Sequence, residues 1–183
     1  ETLWLGTNGG GLVRVRGEQA VRWGSESALG SDRIRAVLPV DSGAWVGTED
    51  QGMVYVDAAG PTPIRLGPAQ GLPDTYVHTL VPDGLGFIWG SSNKGLFRVA
   101  DAALTAFASG GPPPEVQHYT EQDGMPNREC NGGTNHAGLR LSDGNLAFAS
   151  QRGVVLVDPD DVERQGPPAP VLLEALHAGT RDE

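Results

Sequence analysis

The chain has 183 residues, and its 23 Asp and Glu against 13 Lys and Arg give a formal charge of −10 at neutral pH. Neutralising nucleic-acid phosphates takes a clustered cationic face, so this excess of anions argues against nucleic acid as a partner. No apolar stretch approaches the roughly 20 residues that cross a bilayer as a helix, and 27 Gly with 14 Pro point to short strands and tight turns rather than a helical bundle.

In chain order, LWLGTNGGGLVRV at 3–15 reads as strand, loop and strand. SALGSDRIRAVL at 27–38 opens a fuller unit: strand 33–39, a polar turn at Asp41 to Gly43, strand 44–48, a glycine loop, strand 52–57 and a weaker strand near 63–67. QGLPDTYVHTLV at 70–81 and FIWGSSNKGLFRV at 87–99 repeat the pattern. ADAALTAFAS has the residue types of a short helix, stopped at Gly110 and Gly111 before Pro112 to Pro114, and is expected to be a surface decoration, with a partner contact as the alternative. DGMPNREC at 123–130 and LAFASQRGVVLV at 146–157 form a last, worn copy, and VLLEAL at 171–176 reads as one more strand.

The copies are marked by the glycine ahead of each final apolar run, at Gly11, Gly52, Gly95 and Gly153, with intervals of 41, 43 and 58. The third copy has Ile88 where Trp is expected, with Trp89 one place later, and the last has Ala147. Four antiparallel strands in roughly 40–45 residues is the arithmetic of a β-propeller blade. A β-sandwich also has many short strands, but not one Trp-Gly-Thr signature returning at an interval. The expected fold is all-β: a partial β-propeller of about three and a half four-stranded antiparallel blades, where closed rings usually need roughly four to eight. Further blades are expected N-terminal to Glu1, as is any targeting signal.

Trp, aliphatic, Gly-Thr, a loop and Gly-Leu, together with Gly-Leu-Pro at 71–73, resemble the two-component regulator propeller repeat. The run from DGMPNREC through DPDDV to PPAPVLLEALHAG is similar to that family's last blade and its exit into a small immunoglobulin-like domain. The resemblance implies residues 1–166 as C-terminal blades of a propeller and 167–183 as the exit segment and first strand of the next domain. It further implies the periplasmic or extracellular part of a membrane-anchored bacterial receptor, a homodimer in the full receptor, whose output half is a histidine kinase or a diguanylate cyclase.

Chemistry-bearing patterns are sparse. His78, His118, His136 and His177 show no ligand spacing, and no HExxH or CxxC occurs, so neither a metal nor a cofactor is expected. His78 is expected to pack or hydrogen-bond near the ring axis. The single Cys130 falls in the strand slot that Ile34 and Val77 occupy in earlier copies and reads as a small core residue; with no internal disulfide partner, it leaves the redox compartment open. The pairs Asp160–Asp161 and Glu49–Asp50 lie in polar loops, and the glycines at 9–11 precede no Lys-Ser or Lys-Thr. No residue is assigned a catalytic role.

Propeller geometry instead gathers the loops at 7–10, 30–33, 48–51, 73–76, 91–94, 126–129 and 150–152 at one mouth of the ring, and loops on a rigid scaffold are where binding residues concentrate. The candidate ligand-binding side chains are Asn8, Arg33, Glu49, Tyr76, Asn93, Glu129, Asn131, Asn135, His136 and Arg152. Ile34 to Trp45 and Val77 to Ile88 each span 11 residues, whereas Cys130 to Ala147 spans 17. The extra residues fall within NGGTNHAG at 131–138, which either contacts a polar ligand such as a glycan or cell-wall fragment or caps the last blade.

The leading reading is a non-enzymatic ligand-sensing module. A metal-using propeller lyase or lactonase and a ligand-free scaffold are the alternatives. The full-length gene product is expected to carry a signal peptide, a transmembrane helix after the next domain and a kinase or cyclase beyond it; sequencing that shows a stand-alone secreted chain overturns the receptor assignment.

Overall fold

The computed structural model describes residues 2–58, 63–132 and 137–164. Among them the strands form four antiparallel sheets, each an up-and-down meander. Sheet 1 holds β1 (Thr2–Gly6), β2 (Leu12–Arg16) and β3 (Gln19–Trp23). Sheet 2 holds β4 (Ile34–Val40), β5 (Gly43–Thr48), β6 (Met53–Asp57) and β7 (Ile64–Leu66), each within one residue of its expected bounds. Sheet 3 holds β8 (Val77–Pro82), β9 (Phe87–Ser92), β10 (Gly95–Ala100) and β11 (Val116–Tyr119). Sheet 4 holds β12 (Gly138–Arg140), β13 (Leu146–Ser150) and β14 (Gly153–Val157). The exit segment from 167 and the strand expected at 171–176 lie outside the described residues.

Two short helices interrupt this pattern. Helix α2 (Pro159–Arg164) follows β14. Helix α1 (Asp101–Ala108) lies between β10 and β11 and ends where Gly110 takes a φ of 89°. It is more than a surface decoration. Leu104 and Phe107, three residues apart and therefore on one helix face, are buried in the layer between sheets 2 and 3.

A hydroxyl closes the same hairpin in every sheet. Thr7 Oγ1 donates to Gly11 O at 2.8 Å, Thr48 Oγ1 to Gly52 O at 3.0 Å, Ser92 Oγ to Gly95 O at 2.9 Å and Ser150 Oγ to Gly153 O at 2.9 Å. All four glycines have positive φ, between 76° and 135°, which accounts for the repeated Gly-Leu and Gly-Val starts. Three residues ahead of each hydroxyl stand Trp4, Trp45, Trp89 and Ala147. Trp89 is therefore in register with the other tryptophans, and Ile88 replaces nothing. The apparent one-place shift arises because the turn from Ser92 to Gly95 is one residue shorter than that from Thr48 to Gly52.

Three hydrophobic layers separate the four sheets. Leu12, Ile34, Val46 and Val54 lie between sheets 1 and 2, Trp45, Tyr55, Leu80 and Phe97 between sheets 2 and 3, and Trp89, Leu96, Leu146 and Phe148 between sheets 3 and 4. Each fully buried side chain of this size contributes about 1.5–3 kcal/mol. The loop entering each unit drops one further side chain into its layer, five residues before the strand slot: Leu29 before Ile34, Leu72 before Val77 and Met125 before Cys130. The first strands of the four sheets lie side by side, β1 against β4, β4 against β8 and β8 against β12.

The tryptophans anchor the layers through aromatic contacts, Trp4 on Trp23 at 5.9 Å, Trp45 on Tyr55 at 5.3 Å and Trp89 on Tyr119 at 5.1 Å between ring centroids. Trp89 Nε1 also donates to Asp83 Oδ2 at 3.1 Å, so its polar atom is satisfied inside the core. The outward faces of the terminal sheets are apolar too: Leu3 and Leu5 on sheet 1 are 54% and 44% exposed, and Val154 and Leu156 on sheet 4 are 65% and 66% exposed. Trp89→Ala is expected to destabilise the chain by about 3–5 kcal/mol, whereas Leu156→Ser changes stability by no more than about 0.5 kcal/mol. Urea denaturation of the two variants checks both values.

Candidate functional site

The first strands of sheets 2 and 3 each leave the ladder once, at an equivalent place. Ile34 pairs with Thr48 and Ala36 with Gly47, leaving Arg35 as an extra residue; Val77 pairs with Ser92 and Thr79 with Ser91, leaving His78. Such β-bulges turn a side chain away from its ordinary face. In sheet 4, Cys130 bridges Ser150 in the slot of Ile34 and Val77, and the chain rejoins the ladder at Gly138 opposite Phe148. Asn131 N donates to Ala149 O at 2.9 Å and Ala149 N to Ala137 O at 2.8 Å, so one residue of β13 holds both ends of the insertion. The extra length therefore replaces a single bulge residue, apart from one residue that lengthens the turn after β12 relative to sheet 2.

The loops expected at one mouth do meet at one end of the sheets. Asn8 bridges Arg33, Gly52 N donates to Thr75 O at 2.7 Å, Cys130 N to Ser92 O at 3.1 Å and Gln151 N to Glu129 O at 3.0 Å. At the centre of this end is Glu49, its side chain 12% exposed. Its carboxylate accepts from Arg33 Nη1 at 2.9 Å, from Tyr76 Oη at 3.0 Å and from Arg35 Nη2. Donors from sheets 2 and 3 thus converge on one carboxylate and tie the two sheets at the mouth.

Next to this group the His78 ring lies 4.5 Å from the Tyr76 ring, and the Arg35 guanidinium carbon lies 5.9 Å from the Tyr76 ring centre. His78 Nε2 sits 2.8 Å from Asn93 Oδ1. The amide oxygen accepts, so Nε2 carries the proton and Nδ1 presents a lone pair. Burial holds the His78 pKa below its ordinary value, opposed by the Asn93 hydrogen bond and the charges of Asp74 and Glu129 and reinforced by that of Arg35. Gly132 runs against the imidazole so closely that a Cβ there would lie 2.3 Å from Nδ1.

Of the sequence candidates, Arg33, Glu49, Tyr76 and Asn93 are brought into this group, while Asn8 touches its rim through the Arg33 bridge. Glu129 acts on His78 through its charge and is hydrogen-bonded to Gln151 Nε2 at 2.9 Å. Asn131 starts the insertion, and exposed Arg152 lies in the last hairpin turn, its backbone N donating to Ser150 Oγ at 3.4 Å. Asn135 and His136 lie outside the described residues. Arg35 and His78 escaped selection because both sit inside alternating strand sequence; their shared position one residue after Ile34 and Val77 is the signal that marks them. Cys130 is buried, and burial pushes its thiol pKa up to about 11, so it stays protonated and unreactive. Among the described residues no group of three His, Cys, Asp or Glu side chains converges, and no helix is long and apolar enough to cross a membrane.

No family model matches the chain, and no curated protein sequence matches it. Solved structures do. The extracellular domain of BT3049 from B. thetaiotaomicron, assigned to a hybrid two component system, superposes with a TM-score of 0.65 at 15% identity over 87% of this chain and 21% of its own. Two structures of the extracellular domain of BT4673 from the same organism, assigned to a one component and to a hybrid two component system, give TM-scores of 0.65 and 0.64 at 18% and 20% identity. They cover 87% and 86% of this chain and 22% of theirs, so the chain spans about a fifth of the length of the domains it matches. The likeness is one of fold, and it agrees with the resemblance carried by the repeat motifs.

The depressed His78 pKa has a defined consequence for stability. The folded state holds the proton less tightly than the unfolded chain, so the stability conferred by a neutral His78 is complete above the ordinary value of 6.5 and is lost as pH falls through it toward the folded value. Melting of the wild type is expected to fall more steeply between pH 7.5 and 5.5 than that of His78→Phe. Parallel melting curves for the two proteins would refute this assignment.

Proposed function

We propose that the chain is part of an extracytoplasmic β-propeller in a membrane-anchored bacterial signalling receptor, non-enzymatic in itself, and that its mouth binds a ligand. The stacking of four meander sheets through three apolar layers supports the propeller form, since the first strands of successive sheets lie side by side and both terminal faces are apolar, as sheets with a further neighbour on each side require. The fold it shares with extracellular domains of signalling proteins supports the location. In this reading the chain is followed by an immunoglobulin-like domain that passes the mouth's state onward within a receptor homodimer.

The observation that carries ligand binding is the meeting of Arg33, Arg35, Glu49, Tyr76, His78 and Asn93 at the end of the sheets where the hairpin loops gather. A glycan or cell-wall fragment matches such a surface, because guanidinium, amide, phenol and imidazole groups all hydrogen-bond to hydroxyls while the Tyr76 ring offers apolar area. Binding at a joint held by sheets 2 and 3 acts on signalling by favouring one of two pre-existing receptor arrangements. A ligand that binds the native state raises its melting temperature. The full-length protein, screened by thermal shift against oligosaccharides and peptidoglycan fragments, is expected to show an increase that Tyr76→Ala abolishes; no increase with any of them at saturating concentration refutes the mouth as a ligand site.

A further inference from the structure

Among the described residues, sheet 4 ends one strand early. β3, β7 and β11 line the outer edges of sheets 1, 2 and 3, each pairing with the strand that the hairpin glycine opens, whereas the equivalent strand β14 pairs with β13 alone. An uncovered strand edge of this kind recruits a further strand through its backbone N–H and C=O groups. Val99 of β10 faces Val116 of β11 and is 1% exposed. Val157 stands in the same place, four residues after the turn glycine, and is only half-buried.

An open cavity of about 340 Å³ lies beside this edge. Trp89, Leu96 and Tyr119 of sheet 3 line it together with Val155 and Val157 of β14 and Val162 of α2. One layer earlier the corresponding place is taken by the outer strand of sheet 3, whose Val116 packs against the core between sheets 2 and 3.

The chain after β14 repeats the chain after β10. Helices α1 and α2 start six residues after Gly95 and Gly153, and Leu104 and Val162, nine residues after those glycines, both pack into a hydrophobic layer. Gly-Pro-Pro follows each helix, at 111–113 and at 166–168, and three residues beyond stand Val116, the first residue of β11, and Val171. Seven residues join α1 to β11 and six join α2 to Val171, a connector of nearly equal length.

We propose that residues 171–176, VLLEAL, form the fourth strand of sheet 4, antiparallel to β14 and seated over the cavity. In the register of β10 and β11, where Val99 faces Val116 and Phe97 faces His118, Val171 faces Val157 and Leu173 faces Val155. Cross-strand partners share a face, so Val171 and Leu173 fill the space against Trp89 and Tyr119. Glu174 falls opposite Val154 on the other face, away from the Asp123, Asp158 and Asp161 that also line the cavity. The propeller then ends at 176 rather than 166, and whatever follows is joined to sheet 4 by a paired strand instead of a tether. The inference concerns the outer rim and does not depend on the mouth binding a ligand.

The test uses the full-length protein. Val157→Cys with Val171→Cys closes an intramolecular disulfide on mild oxidation, since facing residues of antiparallel strands lie about 4.5–5.5 Å apart at Cα, within disulfide reach. Val157→Cys with Leu172→Cys, one place out of register, closes at least about tenfold more slowly. Buried Cys130 stays reduced and serves as the internal reference. In the wild type, hydrogen exchange at 171–176 and along β14 is as slow as at 116–119 to within about tenfold, a measurement that stands alone if the cysteine variant does not fold. A disulfide between two chains assigns the edge to a second copy and overturns the inference. So do equal rates for the two cysteine pairs, no disulfide in a folded variant, or exchange at 171–176 at least about a hundredfold faster than at 116–119.

Discussion

A sheet of three or four strands that is apolar on both faces has no stable existence unless something covers each face, and that requirement organises this chain. Sheets 2 and 3 each send one face into the layer before them and the other into the layer after, while sheets 1 and 4 cover one face each and leave the other exposed. The tryptophan position supplies the bulk on one side, while Leu29, Leu72 and Met125 close the layers at their edges. Helix α1 is drawn into the same scheme, its Leu104 and Phe107 sealing the layer beneath sheets 2 and 3. Stability is therefore distributed over successive interfaces rather than concentrated in one centre.

With the faces committed to packing, the strand ends are where polar chemistry can collect. The Thr or Ser that closes each hairpin spends its hydroxyl on the backbone of its own turn, which fixes the turn and leaves neighbouring side chains free to point outward. Bulges at equivalent positions then place Arg35 and His78 at the same end. The carboxylate of Glu49 joins sheets 2 and 3 there at a cost in desolvation that three donors offset.

The repeat, its strands and the mouth loops were legible in the sequence because turn glycines, the Leu and Met plugs and alternating apolar residues are local signals. Cys130 in the slot of Ile34 and Val77 was legible for the same reason, as all three stand five residues after a plug. Register was not. A bulge is a property of two paired strands, so nothing in IRAVL or VHTLV separately announces that Arg35 and His78 leave the ladder. Trp89 looked displaced because counting along the chain assumes turns of constant length, whereas the ladder absorbs a shorter turn without moving the tryptophan. The burial of α1 was missed because the sequence shows a short helix, and only packing shows that its Leu104 and Phe107 face is covered.

The clamp at Ala149 separates two demands that most proteins must satisfy together. Because its amide and carbonyl grip both ends of the insertion, the chain between them can lengthen or shorten while Cys130 and Gly138 keep their partners. The chain can thus gain or lose residues at this point for a small cost in loop closure, with the pairing on either side kept, and chains of this fold should differ in length here sooner than in any strand.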